Sequence, residues 1–133
     1  MHASPYRVGI DLVPVKHIQE SIERFGKIYL NRLFTEEEQA YCCSHTSSQA
    51  VAQSFAVRFA AKEATVKILR PEPFWGGWRE IEVRRAPDGA CDIVLHRTAA
   101  ELAEQRGIYA LSLSMSHEIE YATAIVIADL VSS

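Results

Sequence analysis

Arg58, Lys62, Glu63 and Lys67 fall within one largely apolar run, Ser54 to Leu69. At about 100° per residue on a helix, Glu63 stands one turn after Phe59 at the border of the apolar stripe, while Arg58 and Lys62 flank the stripe on its other side. Lys67 follows Glu63 by one more turn. A carboxylate held among these cations can bind a hard metal ion while the cations take up phosphate charge. The same Glu63–Lys67 spacing also suits an ordinary surface ion pair in the favourable order.

Asp11 is the second residue of this kind. An acid inside the apolar run Val8-Gly9-Ile10-Asp11-Leu12-Val13 is expensive unless it is hydrogen-bonded or bound to a cation, and Gly9 beside it lets a ligand or another backbone approach closely. It equally suits the cap of a neighbouring turn. Asp11 and Glu63 together make a two-carboxylate Mg²⁺ site with positions open to water and phosphate oxygens. The third feature is Leu111-Ser112-Leu113-Ser114-Met115-Ser116-His117, in which the apolar residues and the serines alternate. His117 closes it at a hairpin mouth, where it is either a ligand-reaching imidazole or a solvated tip residue. There is no Gly-x-Ser-x-Gly elbow, and Cys42, Cys43 and His45 lack the spacing of a zinc site.

The elements that must carry these residues follow from periodicity and punctuation. Tyr6 to Val13 alternates as a strand that Pro14 ends, with Val8, Ile10 and Leu12 on one face and Gly9, Asp11 and Val13 on the other. Lys16 to Phe25 reads as a helix stopped by Gly26. Thr35 before Glu36, Glu37 and Glu38 forms a capping box and an acidic first turn. A long helix from about Ser48 to Leu69 carries the stripe Val51, Phe55, Phe59 and Val66, and Arg70-Pro71 stops it. Arg79 to Arg85 and Cys91 to His96 form a hairpin about Pro87-Asp88-Gly89. Its basic residues Arg79, Arg84 and Arg85, with Arg97 beyond, are expected on a solvated face, where they can also serve to dock an acidic partner. Arg97 to Arg106 is a short helix, and Tyr109 to Ser116 pairs with Tyr121 to Leu130 about a tip of His117 to Glu120. Strands and helices in this order, without regular βαβ alternation, indicate an α+β domain.

The chain has 133 residues, 48% hydrophobic and 23% charged, which suits one domain over residues 1–133 with a self-sufficient core. A net charge of −3 argues against a nucleic-acid or membrane-surface binder, so positive charge that handles anions must be local. Three cysteines, two of them adjacent, read as reduced thiols in a cytoplasmic protein. No signal-like leader and no long uncharged apolar segment is expected.

Read together, Val8 to Val13, Arg58-Phe59-Ala60-Ala61-Lys62-Glu63-Ala64 with Lys67, and Leu113-Ser114-Met115-Ser116-His117 with Tyr121-Ala122-Thr123-Ala124 resemble the holo-acyl-carrier-protein synthases, the small 4′-phosphopantetheinyl transferases. Arg32 to Glu38 is similar to the family's segment before its next helix. The resemblance implies an antiparallel sheet packed with a long central helix, assembled as a homotrimer with sites between protomers. It implies Mg²⁺-dependent transfer of 4′-phosphopantetheine from coenzyme A to a serine of an apo acyl carrier protein, releasing adenosine 3′,5′-bisphosphate. By the same resemblance, Asp11 and Glu63 hold the metal, with Glu63 or a metal-bound water a candidate base for the incoming serine. Lys62 and Lys67 bind phosphate or protonate the leaving group, Arg58 holds a coenzyme A phosphate, and Ser116 and His117 contact the nucleotide from a neighbouring subunit. His17 stands where the family usually carries an arginine associated with docking the carrier, and the Pro71 to Trp78 loop also departs from the usual pattern. These two departures motivate a second reading, an oligomeric module that binds coenzyme A or a carrier protein without reacting.

Overall fold

Strand β1, Tyr6–Pro14, packs its Gly9 face against the central helix α4, Ser48–Leu69, and this contact organises the molecule. A computed structural model describes residues 3–132, so residues 1, 2 and 133 of the expected domain lie outside the described residues. Between β1 and α4 run α1 (Val15–Phe25), α2 (Lys27–Leu33) and α3 (Glu36–Cys43). After α4 come a short 3₁₀ turn at Trp78–Glu80, the hairpin β2 (Ile81–Arg85) and β3 (Cys91–Leu95), helix α5 (Arg97–Gln105), and the hairpin β4 (Ile108–His117) and β5 (Tyr121–Leu130). The main sheet has the order β1-β5-β4 and is antiparallel throughout, while β2 and β3 form a second sheet. The architecture is therefore the expected α+β arrangement of antiparallel sheets and helices.

Local chemistry explains the boundaries. Thr35 and Glu38 form the expected capping box at the start of α3. Ser47 accepts the Ala50 N–H at 3.0 Å to open α4, and Arg70, ahead of Pro71, closes it in the left-handed region at φ 53°. The first hairpin strand begins two residues later than its alternation suggests, because Arg79 and Glu80 belong to the 3₁₀ turn. Helix α2 is absent from the sequence reading. It is only seven residues long, and Gly26 both ends α1 and precedes it, which hides a new start.

Helix α4 is buried around most of its circumference rather than along one stripe. Phe55 is fully buried against Phe34, with ring centroids 4.8 Å apart, whereas Val51, Phe59 and Val66 are only half-buried. Ala52, Ala56, Ala60, Ala61 and Ala64 let the neighbours approach instead. The outer face of the main sheet behaves in the opposite way. Val8, Ile10 and Leu12 are 56%, 57% and 61% exposed, and the register lines them up with Ile127, Ile125 and Thr123 and then with Ser112, Ser114 and Ser116.

Glu82 on β2 is a buried acid with a full set of partners. It accepts from Thr35 Oγ1 at 2.9 Å, from His96 Nε2 at 3.0 Å and from Arg84 at 3.1 Å. Burial alone raises its pKa, but the bonds from His96 and Thr35 and the Arg84 charge outweigh it and bring the pKa below the ordinary 4.5. A lowered folded pKa adds stability above the unfolded value and loses it as pH falls through the folded value. Glu82→Gln is therefore expected to cost about 1–3 kcal/mol at neutral pH. It should also flatten the loss of stability below pH 4.5, read from urea unfolding at both ends of the range.

Candidate functional site

Two clusters of the predicted residues form on the helix-facing side of the main sheet. The first joins β1 to α4. Lys67 Nζ lies 3.3 Å from Asp11 Oδ1 and donates to the Ile10 carbonyl at 2.7 Å, so its bonds run across to the strand. Glu63 is half-buried beside them. Burial raises its pKa first, the Asp11 charge raises it further, and Lys67 opposes both. Asp11, Glu63 and Lys67 are thus together, as expected. Their proximity depends on Gly9, because a Cβ there would stand 2.1 Å from the Ala64 carbonyl oxygen.

These two carboxylates suit Mg²⁺ by the chemistry of their donors. Both offer hard oxygen, and among the described residues no group of three or more His, Cys, Asp or Glu side chains gathers to enclose an ion. A pair of acids that leaves the remaining positions to water and phosphate oxygens is the usual provision for Mg²⁺.

The second cluster surrounds a cavity of about 260 Å³ between α3, α4 and the two hairpins. Arg58 is 4% exposed and donates from Nη1 to Ser54 Oγ at 2.9 Å and to the Ser54 carbonyl at 3.2 Å. Its guanidinium carbon lies 4.7 Å from the centroid of the Tyr41 ring, and that of Arg85 lies 5.0 Å from the same centroid. His45 and His117 complete a lining that, among the described residues, holds no carboxylate. Such a wall suits an anion with several oxygens.

Three expected placements change. Lys62, expected to take phosphate charge, is fully buried with its ammonium 2.9 Å from Glu38 Oε1, and it also donates to the Trp78 and Ile81 carbonyls. Its donors are occupied by the core. Arg58 is also buried, yet it keeps an edge on the cavity. Ser116 and His117 do not act side by side. They are successive residues of β4 and point to opposite faces, His117 into the basic cavity and Ser116 to the outer face beside Thr123.

Arg85 and Tyr41 are the residues that sequence reasoning missed. Arg85 is exposed, as the solvated face expected for it implies, but it shares a pleat face with buried Ile81 and Val83, and that face turns its guanidinium to the cavity rim. Tyr41 gives no such signal within its short acidic helix.

The clusters occupy opposite edges of one sheet. Asp11 lies on edge strand β1 and His117 on edge strand β4, with β5 between them. Two strand spacings separate these backbones by roughly 10 Å, and Glu63 and Arg58 emerge from different sides of α4 to meet them.

The fold agrees with what the chain is similar to. The model of the 4′-phosphopantetheinyl transferase superfamily matches residues 7–126. The holo-[acyl-carrier-protein] synthase of Koribacter versatilis is 41% identical over 122 residues, covering 91% of this chain and 95% of that protein. The synthase of Syntrophotalea carbinolica is 42% identical over 126 residues, covering 92% and 96%. Among solved structures, the ACPS–CoA complex of Chronobacterium ammoniagenes superposes with a TM-score of 0.84 at 29% identity, covering 97% of this chain and all of that one. The Helicobacter pylori holo-[acyl-carrier-protein] synthase in complex with coenzyme A gives 0.76 at 28% identity, covering 92% and 100%. The chain therefore belongs to the 4′-phosphopantetheinyl transferase superfamily, among the holo-[acyl-carrier-protein] synthases.

Proposed function

We propose that the protein transfers 4′-phosphopantetheine from coenzyme A to a serine hydroxyl of an apo acyl carrier protein. The observation that carries this reading is the pairing of an acidic cluster, Asp11, Glu63 and Lys67, with a carboxylate-free basic cavity on one α4–sheet unit. Arg58, Arg85 and His117 take the nucleotide phosphates. Asp11 and Glu63 hold Mg²⁺, which when bound supplies positive charge to the phosphoryl oxygens. Lys67, fixed by Asp11 and the Ile10 carbonyl, adds a second positive charge and stabilises the departing phosphate. Glu63, or a water held at the same site, accepts the proton of the incoming serine. The serine oxygen forms a bond to phosphorus, the bond to the 5′-phosphate oxygen of adenosine 3′,5′-bisphosphate breaks, and that bisphosphate leaves. No nucleophile of the chain is required.

The working unit we infer is a homotrimer. The resemblance supports it, and so does the exposed apolar face of Val8, Ile10 and Leu12 with Ile125 and Ile127, a surface that a soluble monomer rarely leaves open. A neighbour seated there also brings an acidic edge to a basic edge, and Ser116 then faces the interface. Light scattering on the purified protein is expected to return the mass of three chains, and a strictly monomeric solution would remove the shared-site reading. Among the described residues no helix is long and apolar enough to cross a membrane. With free Cys42, Cys43 and Cys91, we place the enzyme in the cytoplasm.

His17 lines a separate groove of about 530 Å³ with Lys16, Ile119 and Tyr121, a place where a carrier helix can lie. The test of the whole reading is a mass shift. Apo carrier protein, coenzyme A, Mg²⁺ and the chain are mixed, and the carrier is expected to gain one phosphopantetheine. Chelation of the divalent ion should abolish the gain. Binding of coenzyme A without any gain on several apo carriers would favour the non-catalytic module instead.

A further inference from the structure

Glu38 and Lys62 form an ion pair with neither side chain exposed. Burial of this kind rarely adds stability, because an apolar pair of similar volume is often as stable or more so. The pair nevertheless ties together three elements of the basic cavity's wall, α3, α4 and β2. Lys62 on α4 donates to Glu38 on α3 and to the carbonyls of Trp78 and Ile81, the ends of the turn that launches β2. Glu38 Oε1 also accepts the Thr35 N–H at 2.9 Å, and Oε2 accepts the Val83 N–H at 2.9 Å on β2.

Each partner is one step from a cavity residue. Tyr41 follows Glu38 by one turn of α3, Arg58 precedes Lys62 by one turn of α4, and Arg85 follows Val83 on the same face of β2. Tyr41, Arg58 and Arg85 are the stacked group at the cavity. Their contact therefore requires that α3, α4 and β2 keep one mutual register, and the polar pair is what ties the three elements by directional bonds. An apolar pair would permit sliding or rolling that these bonds forbid.

We propose that the buried Glu38–Lys62 pair is a positioning device for the anion cavity, holding the two guanidiniums on the Tyr41 ring so that they meet the phosphates of the nucleotide. The proposal rests on the reading of that cavity as the coenzyme A site. Lys62 acts through Arg58 and Arg85 and touches no substrate.

The test uses the full chain in its native assembly, with adenosine 3′,5′-bisphosphate as the calorimetric probe. Two variants are measured: Glu38→Gln with Lys62→Met, which removes both charges, and the milder Glu38→Asp, which keeps the charge and withdraws it by one methylene. Leu69→Ala, a fully buried core change away from the pair, is the control for simple destabilisation. In the folded variants of the pair, Kd for the bisphosphate and KM for coenzyme A are expected to rise about tenfold or more, with kcat at saturating coenzyme A little changed. Leu69→Ala should lower Tm and leave Kd alone. Glu38→Asp keeps the proposal testable if the double variant does not fold. A wild-type Kd in the folded variants of the pair, or an equal rise in Leu69→Ala, would overturn the positioning role. No binding by the wild-type chain would overturn the cavity reading itself, and the positioning role with it.

Discussion

Glu63→Gln is expected to lower kcat for phosphopantetheine transfer by about 10²–10⁴-fold while leaving the fold intact. Glutamine keeps the shape of the side chain and removes both its charge and its capacity to take a proton. The half-buried Glu63 carboxylate is held in unfavourable company, since burial and the Asp11 charge both disfavour its ionised form. Removing that charge relieves repulsion, so the melting temperature is expected to hold or rise slightly. Loss of activity without loss of stability separates a group kept for chemistry from one kept for packing. The measurement is initial carrier mass shift against enzyme concentration, alongside a thermal melt of the same sample. Activity within a few-fold of wild type would remove Glu63 from both its metal and its proton-accepting roles.

The second large effect is expected at Gly9. A side chain there meets the Ala64 carbonyl oxygen at 2.1 Å, the Ala64 carbonyl carbon at 3.0 Å and Ile68 Cγ1 at 3.2 Å. The first obstacle is backbone and cannot rotate away, so helix and strand must separate. Overpacking of this kind costs about 1–3 kcal/mol, and Gly9→Val should sit at the upper end because β-branching adds a second methyl. Ala64 adjoins Glu63, and Gly9 is two residues from Asp11, so the same movement widens the gap between the carboxylates. Gly9→Val is expected to lower the urea midpoint and also to raise the Mg²⁺ concentration needed for half-maximal activity. A variant with wild-type urea midpoint and Mg²⁺ requirement would show that the close approach does not matter.

How much of this was legible beforehand depended on whether the signal was local. The long helix, the first strand, both hairpins and the Thr35 capping box follow from periodicity and turn residues, and the structure contains them. Asp11 and Glu63 were also legible as a pair, because an acid within an apolar strand and one at the edge of an apolar helix both need a partner. Lys62 was not. Helical spacing set it beside the stripe as a free cation, and only the tertiary position of Glu38, which the local pattern assigned to capping, shows that it is paired in the core. One carboxylate serves both tasks, and a window along the chain reveals just the nearer one. The opposed directions of Ser116 and His117 were in principle available, since adjacent strand residues face opposite ways. Arg85 was available by the same rule.

The placement of the acidic and basic groups on opposite edges of the β1-β5-β4 sheet has a genetic meaning. In the proposed trimer each active site joins the acidic edge of one chain to the basic edge of the next, so a lesion in a chain is not confined to a single site. A protein with Asp11 replaced still offers a sound β4 edge, and one with His117 replaced still offers a sound β1 edge. Two inactive alleles of these kinds, expressed together and assorting at random around a ring, rebuild about one native active site in four. The catalytic unit is then the seam between neighbours, and each allele is judged by the company it keeps.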